Sequence, residues 1–297
     1  MKITFLGTSC MMPTPKRNHP AVVLSWEGEN ILLDCGENTQ RQLRIAGIPP
    51  TAITKILLTH WHGDHVLGLP GLIQSMVGNN YARVLEIYGP KFTKKNVEHM
   101  LGGFALQGDK MKILVKEVDA GIFFENRDFR LESLQVKHSV PCVAFAFQEL
   151  PKRKMNLALL KKLGIPRGPL FGKLQRGEDV MFNGKKVLAK KATFLVPGKR
   201  IVYLTDTSLV DNCYVIAKNA DVLVSESTYS KVDEEKAKEK LHLTAEQAAL
   251  IAKKSKAKKL ALMHFSQRYK DVSALEREAQ KVFKHSQVMN DFDVITL

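Results

Sequence analysis

The strongest constraint in this chain of 297 residues lies where an apolar run meets a histidine cluster. Lys55-Ile56-Leu57-Leu58-Thr59 reads as a buried strand and passes directly into His60-Trp61-His62-Gly63-Asp64-His65. On an extended segment, side chains two residues apart point the same way, so His60 and His62 can face one cation. Gly63 lets the chain turn, which brings Asp64 and His65 toward a second. Imidazole and carboxylate are the usual ligands of zinc and related divalent ions. A fold carrying this turn must end a strand at an open crevice, which points to layered α/β architecture.

The flanking sequence agrees. Residues 2–7, 22–26 and 30–34 read as strands, the last two joined by Glu27-Gly28-Glu29 as a hairpin. A helix is expected over 39–46, stopped by Gly47 and the Pro49-Pro50 pair. Further strands are expected at 84–88, 111–118, 129–138, 143–148, 200–204 and 222–225, with a hairpin around Asn183-Gly184. Thr244-Ala245-Glu246-Gln247 has the form of a capping box opening a helix to about 256. The strand Leu260-Ala261-Leu262-Met263 then delivers His264. Strands in two batches with helices between predict α/β layers and mixed sheets.

Charge is unevenly placed. The formal net charge is +15, and the 51 residues 150–200 hold fourteen bases against Glu178 and Asp179, which is +12 of it. Residues 151–176 carry eight bases and no acid. Such a segment gains more from lying along phosphates than from packing on protein. Hydrophobic residues are 44% and charged residues 25% of the chain, an ordinary globular balance that excludes disorder. No apolar run is long enough to span a bilayer, and the N-terminus lacks the apolar stretch of a secretory signal. Cys10, Cys35, Cys142 and Cys213 are too scattered for a disulfide framework. A soluble, reduced, cytoplasmic protein is the expectation.

Several strings together carry a resemblance. They are Phe5-Leu6-Gly7-Thr8-Ser9, Pro13 through Asn18, Leu33-Asp34-Cys35-Gly36-Glu37-Asn38-Thr39-Gln40, His138-Ser139-Val140-Pro141, Thr205-Asp206-Thr207 and His264-Phe265-Ser266-Gln267-Arg268-Tyr269. With the histidine turn, they resemble the ribonuclease Z family of the metallo-β-lactamase superfamily, endonucleases that trim the 3′ end of precursor tRNA. Gly164-Ile165-Pro166-Arg167-Gly168-Pro169-Leu170 is similar to the glycine-proline motif of that family's flexible arm. The pattern departs from the family in three places. Lys16 comes one position late in the N-terminal loop, Thr205 stands where glycine is typical, and Ser225 where histidine is common.

The resemblance implies a four-layer αββα sandwich, one metallo-β-lactamase-type domain over 1–297, with a protruding basic arm inserted at 150–178. It implies two zinc ions per subunit, with manganese as the alternative. His60, His62 and His138 would hold one, Asp64, His65 and His264 the other, with Asp206 bridging. Metal-activated hydroxide would attack the phosphodiester, leaving a 3′-hydroxyl on the tRNA and a 5′-phosphate on the trailer. Asp64 would orient the water or accept its proton. His242 would assist the leaving oxygen, oriented by Glu226.

RNA contacts would come from Lys16, Arg17 and Asn18 in the N-terminal loop, and from Ser266 and Arg268 beside His264. In the arm they would come from Lys152, Arg153, Lys154, Lys161, Lys162, Gly168 and Pro169. Such contacts position a shape without reading sequence. Precursor tRNA is the expected partner, a homodimer the expected assembly, and no membrane is involved. His19, His99 and His285 read as residues without chemistry. Two other readings stay open from residues alone. One is another hydrolase of the same fold acting on a small ester or other nucleic acid, and the other is a non-catalytic RNA-binding protein with a structural metal.

Overall fold

The computed structural model describes residues 1–104 and 111–297. Two seven-stranded mixed sheets form its larger unit. The first runs, in spatial order, Val294–Thr296, Lys2–Gly7, Ala21–Trp26, Glu29–Leu33, Lys55–Leu57, Val84–Gly89 and Lys112–Glu117. The second runs Ser286–Val288, Leu260–Met263, Val222–Glu226, Arg200–Leu204, Cys142–Glu149, Phe129–Val136 and Gly121–Glu125. Alternation along the strands explains the layering. Leu32, Ile56, Leu58 and Ile87 pack with the helices Thr39–Ile45 and Leu69–Gly78. Leu24, Ile31, Leu33 and Leu57 turn the other way and meet Leu131, Phe145, Phe147, Ile201 and Tyr203 of the second sheet. Ala144, Ala146, Val202, Leu204 and Leu223 pack outward against the helices Asp211–Ile216, Ala245–Lys254 and Ser273–Val282. Strands covered on both faces are apolar at nearly every position, which is why they read as continuous runs. The result is the αββα sandwich.

The local readings from the sequence hold. The hairpin pairs Ala21–Trp26 with Glu29–Leu33, and the first helix is Thr39–Ile45. Thr244 and Gln247 make the reciprocal capping box. The strand expected at 111–118 is Lys112–Glu117. All four cysteines are free and buried, and among the described residues no helix is long and apolar enough to cross a membrane.

Parallel order matters most for the site. Glu29–Leu33, Lys55–Leu57 and Val84–Gly89 are parallel neighbours, as are Arg200–Leu204, Val222–Glu226 and Leu260–Met263. Their carboxyl ends therefore gather on one edge of each sheet, the usual place for a ligand crevice in α/β folds.

Residues Glu125–Arg130 and Gln148–Lys199 form a second compact unit. It has its own apolar cluster of Leu160, Ile165, Leu174, Val180, Val187, Ala189 and Ala192. Asn156 caps the helix Leu157–Lys162 by accepting from the Leu159 amide at 3.1 Å. Gly164 follows that helix at φ +69°, a conformation glycine adopts without strain. Two antiparallel ribbons complete the unit, Lys152–Met155 with Thr193–Val196 and Val180–Phe182 with Lys185–Val187. Asn183 and Gly184 turn the second ribbon at φ +48° and +71°, as the Asn-Gly pair requires.

Candidate metal centre

Six of the nine histidines converge where the parallel strands end. His60 follows Lys55–Leu57, Asp206 follows Arg200–Leu204, and His264 follows Leu260–Met263. His62 stands immediately before the short helix Gly63–Val66, so Asp64 and His65 lie in a helical turn rather than an extended one. Gly36 allows that turn to close on the neighbouring loop. A Cβ there would sit 2.3 Å from the Asp64 carbonyl and 2.4 Å from the His19 Cβ. Asp34, Asp206 and His264 all hold left-handed backbone, at φ +55°, +49° and +60°. Such strain concentrates at functional sites.

The donors fall into groups. His60, His62, His138 and Asp206 bring one ligand atom each within 4.8 Å of the others, and so do Asp64, His65 and His264. Asp206 divides its carboxylate between them. Its Oδ2 lies 3.6 Å from His60 Nε2 and 3.9 Å from His138 Nε2. Its Oδ1 lies 3.2 Å from His264 Nε2 and 3.5 Å from His65 Nε2. Asp206 is also within reach of His242 and His264 as a third group.

Partners behind the rings fix the tautomers. His65 Nδ1 donates to Asp34 Oδ2 at 2.8 Å, and His264 Nδ1 to the Thr228 hydroxyl at 3.0 Å. His138 Nδ1 donates to the Leu241 carbonyl at 3.1 Å, and His60 Nδ1 faces the Thr59 hydroxyl at 3.1 Å. The Nε2 atoms of His60, His65, His138 and His264 are left pointing inward. They nearly touch: His60 Nε2 is 3.0 Å from His62 Nδ1, His138 Nε2 is 3.2 Å from the same atom, and His65 Nε2 is 3.3 Å from His264 Nε2. Each close pair must otherwise share a proton, and a cation seated among these nitrogens would take that proton's place. Charge tells the same story. Burial and then the charge of His65 push His60 well below the usual imidazole range. Burial opposes the cations of His65 and His264, yet the carboxylates Asp64 and Asp206 pull His65 well above it, and Asp206 does the same for His264. Two carboxylates here demand positive charge. Five imidazoles and two carboxylates with this geometry fit divalent ions of the zinc type.

His242 stands beside the donors. Its Nδ1 donates to Glu226 Oε2 at 3.0 Å. The buried Glu226 also accepts from the Thr207 amide at 2.7 Å and the Thr228 hydroxyl at 2.6 Å. Burial works against a charged His242, but Glu226 raises it above its ordinary value. Thr205, the departure from family pattern, donates to Asp206 Oδ1 at 2.5 Å. Ser225 donates to the main-chain carbonyl of Glu226 at 3.0 Å.

A cavity of about 1000 Å³ opens over the donors, walled by His62, Asp64, His138, Asp206 and His242 with Ser266 and Arg268. Lys16 and Arg17 line a separate hollow of about 640 Å³ that also includes Ser266. Arg17 is held from within the fold. Its guanidinium donates to the Thr8 hydroxyl at 2.6 Å, the Met289 carbonyl at 2.8 Å and Asn290 Oδ1 at 2.8 Å, over the Phe265 ring. Asn18 Nδ2 donates to the Glu37 carbonyl at 2.8 Å. Lys152, Arg153, Lys154, Lys161, Lys162, Gly168 and Pro169 belong to the second compact unit. His99 and His285 are exposed, whereas His19 is buried in the cavity wall with Nε2 on the Met11 carbonyl at 3.1 Å. Sequence reasoning missed the supports. Asp34 also accepts from Tyr203 at 3.0 Å and Thr59 at 2.9 Å, and only its place at a strand end before Cys35-Gly36 hinted at a role.

Residues 1–150 match the family model described as anti-Pycsar protein Apyc1, and residues 188–265 the beta-lactamase superfamily domain. Neither reaches across the whole site. Ribonuclease Z of Methanothermobacter thermautotrophicus is 39% identical, with 98% of this chain and 95% of that protein aligned. The chain belongs to the ribonuclease Z family. Ribonuclease Z of Pyrococcus horikoshii is 37% identical over 100% of this chain and 96% of that one. Among solved structures, the short form of human tRNase Z superposes with a TM-score of 0.73 at 28% identity, covering 100% and 99% of the two chains. Membership makes the chain a metal-dependent endoribonuclease on a metallo-β-lactamase fold, and its His/Asp cluster suits a divalent metal.

Proposed function

We propose that this chain removes the 3′ trailer from precursor tRNA, using two zinc ions per subunit, with manganese able to replace them. The observation that carries the reading is alignment with ribonuclease Z relatives over nearly the whole chain, at 39% identity in the first of them. His60, His62 and His138 would hold one ion and Asp64, His65 and His264 the other, with Asp206 within reach of both groups. Bound there, the ions supply Lewis-acid activation of water and neutralise the scissile phosphate. Asp64, whose Oδ2 accepts the Met11 amide at 2.9 Å, orients the attacking water or takes its proton. His242, oriented by Glu226, gives a proton to the departing 3′ oxygen. The tRNA then ends in a 3′-hydroxyl and the trailer begins with a 5′-phosphate.

The arm at 150–178 lies along the tRNA backbone through Lys152, Arg153, Lys154, Lys161, Lys162, Gly168 and Pro169. Lys16, Arg17, Asn18, Ser266 and Arg268 position the RNA end, and here Arg17 acts by holding its loop. The enzyme works as a cytoplasmic homodimer. A small-ester hydrolase would have no use for a segment of eight bases and no acid, and a purely structural metal would not need the His242–Glu226 pair.

End-labelled precursor tRNA incubated with the protein tests this directly. A single cut next to the discriminator base, abolished by chelation and restored by zinc or manganese, is expected. Bound but uncut RNA in the presence of metal would overturn it.

A further inference from the structure

The ribbon of Lys152–Met155 and Thr193–Val196 carries an exposed aromatic ring. Pairing sets Lys154 opposite Phe194 and Arg153 opposite Leu195. Directly opposed residues of an antiparallel pair share a face. Arg153 Nη1 donates to the buried Thr193 hydroxyl at 2.9 Å and Met155 packs on the unit's apolar cluster, so that face is covered at its Met155–Thr193 end, whereas Leu195 on the same face is 57% exposed. Lys154 and Phe194 occupy the other. Phe194 is 52% exposed and lies outside the apolar cluster, whose partly buried aromatic neighbours are Phe171 and Phe182. A phenyl ring left in water beside an exposed lysine does nothing for the core.

The surroundings say what covers it. Thirteen bases and three acids lie within Gln148–Lys199. Of those acids, Glu149 pairs with Lys152, Glu178 with Arg176 and Asp179 with Lys186. A flat apolar ring on a sheet of this charge suits a partner with both π-faces and phosphates. The geometry points to Phe194 as a base-stacking residue, with Lys154 on the adjoining phosphate, for an unpaired or helix-terminal base of a structured RNA. This rests on the RNA reading above and adds to it a contact made by stacking, beyond backbone charge. Stacking on an aromatic side chain contributes about 1–3 kcal/mol per base, which converts to roughly 5- to 150-fold in affinity.

Three substitutions in the full-length chain test the assignment, with a precursor-tRNA transcript as probe and binding measured across a salt series. Phe194→Ala and Phe194→Leu should each weaken binding by at least about fivefold while leaving the salt slope unchanged. Lys154→Ala should flatten that slope by about one phosphate contact. Phe194→Trp should keep wild-type affinity, and RNA should quench its fluorescence beyond the change seen from Trp26 and Trp61 in the unsubstituted chain. Wild-type affinity in Phe194→Ala, full affinity in Phe194→Leu, or no added quenching would overturn the stacking assignment while leaving the endonuclease reading intact. Failure of the unsubstituted chain to bind or cut the transcript would overturn both.

Discussion

His65 donates its Nδ1 proton to the fully buried carboxylate of Asp34 at 2.8 Å. Asp34 in turn accepts from the Thr59 amide at 2.8 Å and from the Tyr203 hydroxyl at 3.0 Å. A ligand histidine held this way keeps its tautomer and aim, and losing such a support typically costs 10–100-fold in metal affinity or activity. Asp34→Ala should therefore release metal at about tenfold lower chelator concentration or less, with the far-ultraviolet circular dichroism unchanged. Wild-type metal retention would contradict the assignment.

The Glu226–His242 pair predicts a different split. Neither residue is among the seven proposed ligands, so His242→Ala should keep its full metal content. Loss of a general acid typically costs about 10²–10⁴ in rate, so kcat should fall by that order with KM within a few fold. Glu226→Gln should show a smaller loss of the same kind. Unchanged kcat in His242→Ala would remove it from the chemistry.

The histidine turn was legible because four donors are adjacent in sequence and follow an apolar run. His138, Asp206 and His264 are single residues, and resemblance rather than spacing pointed to them. Asp34 could not be weighed from sequence, since its role depends on the register that sets it beneath His65. Arg17 shows the reverse. A basic residue in an N-terminal loop reads as an RNA contact, but the fold returns Met289 and Asn290 to meet its guanidinium. In the basic segment, charge was plain while Leu160, Ile165 and Leu174 were overlooked, although with Val180 and Val187 they build a separate core. The α/β layering itself was readable, because alternating apolar strands and amphipathic helices leave few other arrangements.

Asp291 gives a pH dependence. Its carboxyl is pushed from the ordinary 3.8 up to about 6 by burial, against the opposing pull of the Asn18 amide, the Thr8 hydroxyl and Arg17. An acid with a raised folded value binds more protons folded than unfolded. Stability therefore falls as pH rises from about 4 to about 6 and is flat above, by an amount on the order of 3 kcal/mol at most. Relative to Asp291→Asn, the wild type should gain urea midpoint on going from pH 6.5 to 4.5. Parallel midpoints over that range would refute the shift.

Replacing residues 148–199 by a short Gly-Ser linker tests the exosite. The Glu149 amide donates to the Lys199 carbonyl at 2.8 Å, so the two ends of the segment already meet. The deletion removes thirteen bases and three acids, a net +10. Affinity for precursor tRNA should drop by at least about tenfold, and the salt dependence should flatten by at least about two phosphate contacts. Wild-type affinity and slope without the segment would contradict the proposed RNA contact.

Metal content measured by mass spectrometry on protein purified without chelator tests the centre most directly. Two divalent ions per chain are predicted for the wild type and at most one for Asp206→Ala. No bound metal in an actively cleaving wild type, or two ions retained after Asp206→Ala, would contradict the bridged two-ion site.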